Sequence, residues 1–115
     1  MGWTKWRKLA EGKEWHNDLF DWDGPACYEL AIAGPRGGDR EIMYVGETDN
    51  EKRRMSQYGS YGSHIRKEID SHLKHSCVLW YRAQAFDTKK KAKVFQDSLL
   101  DKYDYPWNII NNIEK

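Results

Sequence analysis

The chain has 115 residues, 19 Lys and Arg against 18 Asp and Glu, a net charge of +1, and an apolar share of 39% that includes six Trp and seven Tyr. That suffices for one packed core and not for two. With a mean hydropathy of −0.95 and no run near the ~20 apolar residues of a membrane-spanning helix, such a helix is excluded. A net charge this small also excludes nucleic-acid binding by overall field, so any such binding must come from local patches.

Residues 1–24 are rich in Trp and charge. Trp3, Trp6 and Leu9 recur at three-residue spacing, and Trp15, Leu19, Phe20 and Trp22 can continue an apolar face. The spacing predicts an N-terminal arm of one or two short helices. Its tryptophans pack on the core, with base stacking as the alternative. Gly24-Pro25 closes the arm, and the domain proper is expected over 25–115.

Residues 26–33 (ACYELAIA) read as a buried strand. A turn over 34–39 leads to a second strand over 40–46 (REIMYVG), most simply as an antiparallel hairpin. Thr48 or Asp49 is positioned to cap a helix running to about Tyr58, which residues 59–62 interrupt. Ser63 then caps a helix carrying Ile65, Ile69 and Leu73 on one face. Residues 77–86 (CVLWYRAQAF) read as a third strand. Asp87 or Thr88 caps a third helix with Ala92, Phe95, Leu99 and Leu100 as its apolar stripe, ended by Tyr105-Pro106. The expected architecture is α/β (α+β): a three-stranded antiparallel sheet flanked by helices.

Cys27 and Cys77 lack a CxxC spacing and are expected to be free buried thiols; the four histidines make no metal spacing with them. The first residues contain no apolar signal segment, so a soluble, intracellular (cytoplasmic) protein with no membrane partner is expected. Two basic clusters stand out: Lys52-Arg53-Arg54 with Arg66-Lys67, and the run Lys89-Lys90-Lys91-Ala92-Lys93. Each is either a phosphate-contacting patch or a solvated helix face.

From Ala26 onward, the element order and residues resemble the GIY-YIG nuclease domain. Ala26-Cys27-Tyr28 stands where that family has Gly-Ile-Tyr, and Tyr44-Val45-Gly46 where it has Tyr-Ile-Gly. Arg54 follows Tyr44 by ten residues, Tyr58 follows Arg54 by four, and Asn108 follows position 96 by twelve. These spacings are similar to those of intron homing enzymes and of the N-terminal domain of the UvrC repair nuclease. A stand-alone domain of this size is closer in form to restriction or phage-type nucleases.

The resemblance implies a Mg²⁺-dependent (or Mn²⁺-dependent) DNA endonuclease. Arg54 would donate paired hydrogen bonds to phosphate oxygens. Tyr28 would position or deprotonate the attacking water, and Tyr44 would support that network. Tyr58 would touch a phosphate, orient Tyr28, or simply pack. His64 is either a phosphate ligand and proton shuttle or, preferably, a polar residue at a helix start. Gly46 would let the chain turn tightly out of its strand, and Asn108 would make structural hydrogen bonds. Arg53, Arg66, Lys67, Lys89, Lys90 and Lys91 would contact the DNA backbone. A homodimer is expected if both strands are cut.

Gln96 stands where the family has its metal-binding Glu. An amide keeps the shape of Glu and loses the charge that a hard cation requires. Metal binding and cleavage are therefore expected to be weakened. With the rest of the site present, a Glu→Gln variant of an active enzyme is the preferred reading, and a naturally non-catalytic nucleic-acid-binding module of the same fold is the alternative. Asp97 lies about 100° around the helix and is a poor substitute. Glu47, directly after Gly46, adds an acidic group that can assist a metal or a tyrosine.

Overall fold

In chain order the computed structural model has β1 (Arg7–Glu11), β2 (Glu14–Trp15), β3 (Ala26–Gly34), β4 (Gly37–Thr48), α1 (Glu51–Ser60), α2 (Arg66–Lys74), β5 (Val78–Ala85) and α3 (Lys89–Lys102). It describes residues 2–16, 22–34, 37–60 and 65–108. The strands form one sheet in the order β2-β1-β5-β3-β4, with every pairing antiparallel.

The class is α+β, with an antiparallel sheet flanked by helices, but the sheet has five strands rather than the three expected. The two added strands come from the arm, which was expected to be helical. Gly12 adopts φ +62° between the pairs Ala10↔Trp15 and Glu11↔Glu14. A positive φ at the first position of a two-residue connection suits a hairpin turn and ends any helix. β1 also pairs with β5, and Leu9 and Ala10 are fully buried. Sheet pairing thus overrides the three-residue spacing of Trp3, Trp6 and Leu9. The hairpin between β3 and β4 is also tighter than expected: pairing continues to Gly34↔Gly37, so part of the predicted turn is strand.

β3 sits between β5 and β4, and its residues from Ala26 to Ala33 are all buried. Successive side chains point to opposite faces, so each face of the sheet needs its own cover. On one face Tyr28, Leu30, Tyr44, Leu79 and Tyr81 pack with Met55 and Tyr58 of α1 and with Ile65, Ile69 and Leu73. On the other, Cys27 and Val45 pack with Phe95, Leu99 and Leu100 of α3.

Helix α1 is capped by Asn50, not by Thr48 or Asp49: the Asn50 Oδ1 accepts the Arg53 backbone N–H at 2.9 Å. Thr48 instead braces Asn50, its Oγ1 accepting the Asn50 N–H at 3.1 Å. Thr88 caps α3 as expected, accepting the Lys91 N–H at 3.2 Å. The predicted Ser63 cap lies outside the described residues.

The α3 face carries a buried carboxylate that the apolar run around it conceals. Glu29 is 3% exposed. Its Oε1 accepts from Arg82 Nε at 2.8 Å and Nη2 at 2.6 Å, and its Oε2 accepts the Tyr105 O–H at 2.6 Å. Arg82 lies over the rings of Trp3 at 4.5 Å and Trp6 at 4.7 Å. Arg40 then lies over Trp6 at 5.7 Å and Trp80 at 4.6 Å. This alternation of cations and indoles fastens the arm to the sheet. The Thr4 N–H adds a hydrogen bond to the Ala83 carbonyl at 2.8 Å.

Candidate active site

Tyr28 and Tyr44 meet because of strand register. Tyr28 lies opposite Gly46, and Tyr44 lies opposite Leu30. The two tyrosines are therefore diagonal neighbours on one face, with ring centroids 6.1 Å apart. Arg54 and Tyr58 are four residues apart on α1, one helical turn, so both reach down to the same face.

The groups converge. The phenol oxygens of Tyr28 and Tyr58 are hydrogen-bonded at 2.7 Å. Arg54 Nε donates to the Tyr28 oxygen at 3.4 Å, and the guanidinium lies over the Tyr58 ring at 5.2 Å. Tyr28 is 1%, Tyr44 7% and Tyr58 1% exposed, while Arg54 is half-buried with an open side.

Burial pushes the Tyr58 and Tyr44 phenols well above their ordinary value, and the neighbouring phenols add to the shift. Arg54 is moved upward as well. Burial works against its charge, but Tyr28, Tyr58 and Tyr44 together outweigh it. Tyr58 and Tyr44 are therefore neutral hydrogen-bonding groups at ordinary pH, and Arg54 is a fixed cation.

Gly46 does not turn the chain out of its strand as expected; it lies inside β4. A Cβ there would fall 2.6 Å from both Cζ and the oxygen of Tyr28. The residue is glycine because the phenol lies against its backbone.

Asn108 grips the edge strand. Its Oδ1 accepts the Val45 N–H at 2.9 Å, and its Nδ2 donates to the Val45 carbonyl at 3.0 Å. Tyr105 belongs to the α3 face and Trp107 to the α1 face. The chain therefore passes around the rim of β4 to bring Asn108 to this position.

Gln96 is half-buried on α3, the helix whose Phe95 and Leu99 pack with Cys27 and Val45. Beside Arg54 lies a polar recess of about 270 Å³, lined by Glu47, Thr48, Asp49, Arg53, Arg54, Gln57 and Lys89. Its acidic groups are Glu47 and Asp49. Asp49 is already paired with Arg53. Glu47 Oε2 is buried without a hydrogen-bond partner. Among the described residues no three His, Cys, Asp or Glu side chains converge on one metal position.

The expected DNA-contacting residues differ in their surroundings. Lys67, Lys89 and Lys90 are exposed. Lys91 pairs with Asp87 at 3.3 Å in the open, an interaction that salt readily screens. Arg66 is engaged within the fold: it bonds Asp70 at 2.8 Å and the Tyr58 carbonyl at 2.5 Å, and lies over Trp15 at 4.7 Å. It therefore helps seat Tyr58. His64 lies outside the described residues. No helix of the described residues is long and apolar enough to cross a membrane.

A buried phenol cluster on a sheet, held against a helix-borne arginine and clasped at the edge strand, defines a small α+β domain. The family model of the GIY-YIG domain-containing protein matches residues 2–79 and 69–115, and the chain belongs to that family. It is 29% identical over 96 residues to UvrABC system protein C of Mycoplasma capricolum subsp. capricolum (strain California kid), covering 79% of this chain and 14% of that protein. It is 24% identical over 139 residues to Protein EFFECTOR OF TRANSCRIPTION 3 of Arabidopsis thaliana, covering 100% of this chain and 53% of that protein. The chain thus spans about a seventh and about half the length of these relatives. No solved structure matches it. The family and the UvrABC similarity point to a nuclease-type function.

Proposed function

We propose that this chain is a DNA endonuclease domain that hydrolyses phosphodiester bonds with the help of Mg²⁺ or Mn²⁺. The observation that carries this reading is the convergence of Tyr28, Tyr58 and Arg54 at 2.7 and 3.4 Å, beside a recess with exposed cationic walls.

Phosphodiester hydrolysis requires that an anion accept a nucleophile and that an alkoxide leave. Arg54 keeps its charge and presents its open side to a non-bridging phosphate oxygen. The Tyr28 oxygen, held between Arg54 and Tyr58, positions the attacking water. Tyr44 and Tyr58 remain protonated and hold the ring of Tyr28 in place. Lys89 and the neighbouring exposed lysines draw the DNA backbone to the recess. A bound divalent cation would neutralise charge on the phosphate and the leaving oxygen.

The test is cleavage of supercoiled plasmid in Mg²⁺ and Mn²⁺ by the chain, by Gln96→Glu, and by the same pair carrying Arg54→Ala. Gln96→Glu is expected to raise cleavage by at least about tenfold, and Arg54→Ala to abolish it. A second reading, a non-catalytic nucleic-acid-binding module, is favoured by the neutral side chain at residue 96. It is supported if neither protein cleaves while both bind DNA with an affinity that falls steeply with salt. Absence of both cleavage and binding sinks both readings.

A further inference from the structure

A groove of about 450 Å³ lies between the β1–β2 turn and α2, apart from the recess beside Arg54. Its volume falls in the range of small-ligand pockets, roughly 300–1,000 Å³. Gly12 and Lys13 of the turn, Trp15 of β2, and Arg66, Leu73 and Lys74 of α2 line it. Its one carboxylate among the described residues, Asp70, is already paired with Arg66, while Lys13 and Lys74 are exposed. The lining is therefore net cationic beside an aromatic and an aliphatic wall. The space next to Gly12 is open: a Cβ there would meet nothing within 4 Å.

Arg66 is held by three elements at once. Its Nε donates to Asp70 at 2.8 Å, its Nη1 donates to the Tyr58 carbonyl at 2.5 Å, and its guanidinium lies over the Trp15 ring at 4.7 Å. A guanidinium fixed in this way is a planar platform already ordered before binding, and nucleobases stack on such planes. Asp70 offsets its charge, so the attraction for phosphate falls to Lys13 and Lys74. A stacking plane, an aliphatic wall and two exposed ammonium groups suit an anionic aromatic group, which is what a nucleotide is. A continuous duplex would use the lysines alone, because pairing and stacking hide the face of each base. The groove is also joined to the phenol cluster. Arg66 bonds the backbone of Tyr58, whose phenol bonds Tyr28. Tyr58 lies one turn of α1 beyond Arg54, a rise of about 6 Å, so a strand with a phosphate on Arg54 has a short way to run.

We propose that this groove holds one unpaired nucleotide of a nucleic-acid strand, its base against the Arg66 guanidinium and its phosphates against Lys13 and Lys74. The chain then favours DNA with an extrahelical or single-stranded nucleotide over continuous duplex. As a statement about what is cleaved, this rests on the proposed nuclease reading; as a binding preference it does not.

The test is binding, by fluorescence anisotropy, of a labelled DNA duplex with one unpaired 2-aminopurine nucleotide and of the same duplex fully paired. The chain is expected to bind the first at least about fivefold more tightly, the low end of what stacking one base contributes, and to quench its 2-aminopurine emission. Arg66→Lys keeps the charge and loses the plane; it should abolish the preference and the quench while affinity for the paired duplex changes by less than about threefold. Lys13→Ala with Lys74→Ala should weaken binding of both duplexes and lower the log–log salt slope by about one to two. Urea unfolding of each variant reports on folding. If Arg66→Lys does not fold, Lys74→Glu, at an exposed position, must weaken binding of the unpaired-nucleotide duplex by about fivefold or more. Free deoxyadenosine monophosphate should compete only at concentrations at least about a hundredfold above those of the strand. Equal affinity, or none, for the two duplexes, an unchanged 2-aminopurine signal on binding, or tight binding of the free mononucleotide overturns the proposal. A preference for the unpaired nucleotide without any cleavage keeps the groove and sinks the nuclease reading; cleavage without that preference does the reverse.

Discussion

Gly46 and Tyr28 are cross-strand partners in such close contact that a Cβ on residue 46 would lie 2.6 Å from the phenol oxygen. The ring cannot yield easily, because Tyr58 holds its oxygen at 2.7 Å and the residue is 1% exposed. Gly46→Ala is therefore expected to cost about 1–3 kcal/mol through overpacking and to remove any activity that depends on Tyr28. Urea unfolding measures the first effect. A variant within about 0.5 kcal/mol of the parent means that the ring moves freely and positions nothing.

Asn108 is expected to act on stability. Asn108→Ala leaves both backbone groups of the buried Val45 without their side-chain partners, at a cost of about 1–3 kcal/mol. Asn108→Asp keeps an acceptor for the N–H and loses the donor to the carbonyl, so it should recover part of the loss. Equal urea midpoints for the parent and Asn108→Ala would show that the clasp contributes nothing.

The Tyr105–Glu29 bond predicts an effect on the far face. Tyr105→Phe removes the 2.6 Å donor to a carboxylate that is 3% exposed. Hydrogen bonds to charged groups are worth about 1.5–3 kcal/mol, and the loss should lie in that range because Arg82 still holds the other oxygen. A loss below about 0.5 kcal/mol would mean that water replaces the phenol there.

Cys27 sets an alkaline limit. Burial, then the charges of Glu29 and Glu47, push its thiol from 9.0 to about 12. Between those values the unfolded chain has lost the proton and the native chain keeps it. Its contribution to stability is thus complete below about pH 9 and declines as the pH rises toward 12. Tyr44 and Tyr58, also shifted upward, act in the same direction above pH 10. Stability against urea should fall steadily from pH 9 to pH 11, and Cys27→Ala should lessen that slope. An unchanged slope in Cys27→Ala would contradict the assignment.

Much of this architecture was legible in the chain. The strands around Tyr28, Tyr44 and Trp80 are compact apolar runs, and Ile65, Ile69 and Leu73 announce a helix face. Such signals are local and survive folding unchanged. The arm differs from the expected helix because Trp3 and Trp6 are held by Arg82 and Arg40, partners more than thirty residues away, and because Gly12 turns the chain. Tyr28, Tyr44, Arg54 and Tyr58 could be picked out because their spacing resembles that of the GIY-YIG family. That Glu47 holds an unpartnered oxygen on the α3 side depends on which side of a strand it takes. Composition does not carry that information. Glu29 was hidden for the same reason: its partners, Arg82 and Tyr105, come from elements far along the chain.

The route of residues 105–108 around β4 bears on how copies of this protein meet. An uncovered outer strand is a template on which another chain can add its own. Here the Asn108 amide occupies the outward groups of Val45, and the opposite outer strand, β2, is two residues long. The outer row of β4 is thus interrupted at Val45, and β2 offers only a short template. Strand addition by another chain is hindered at the Val45 position and along β2.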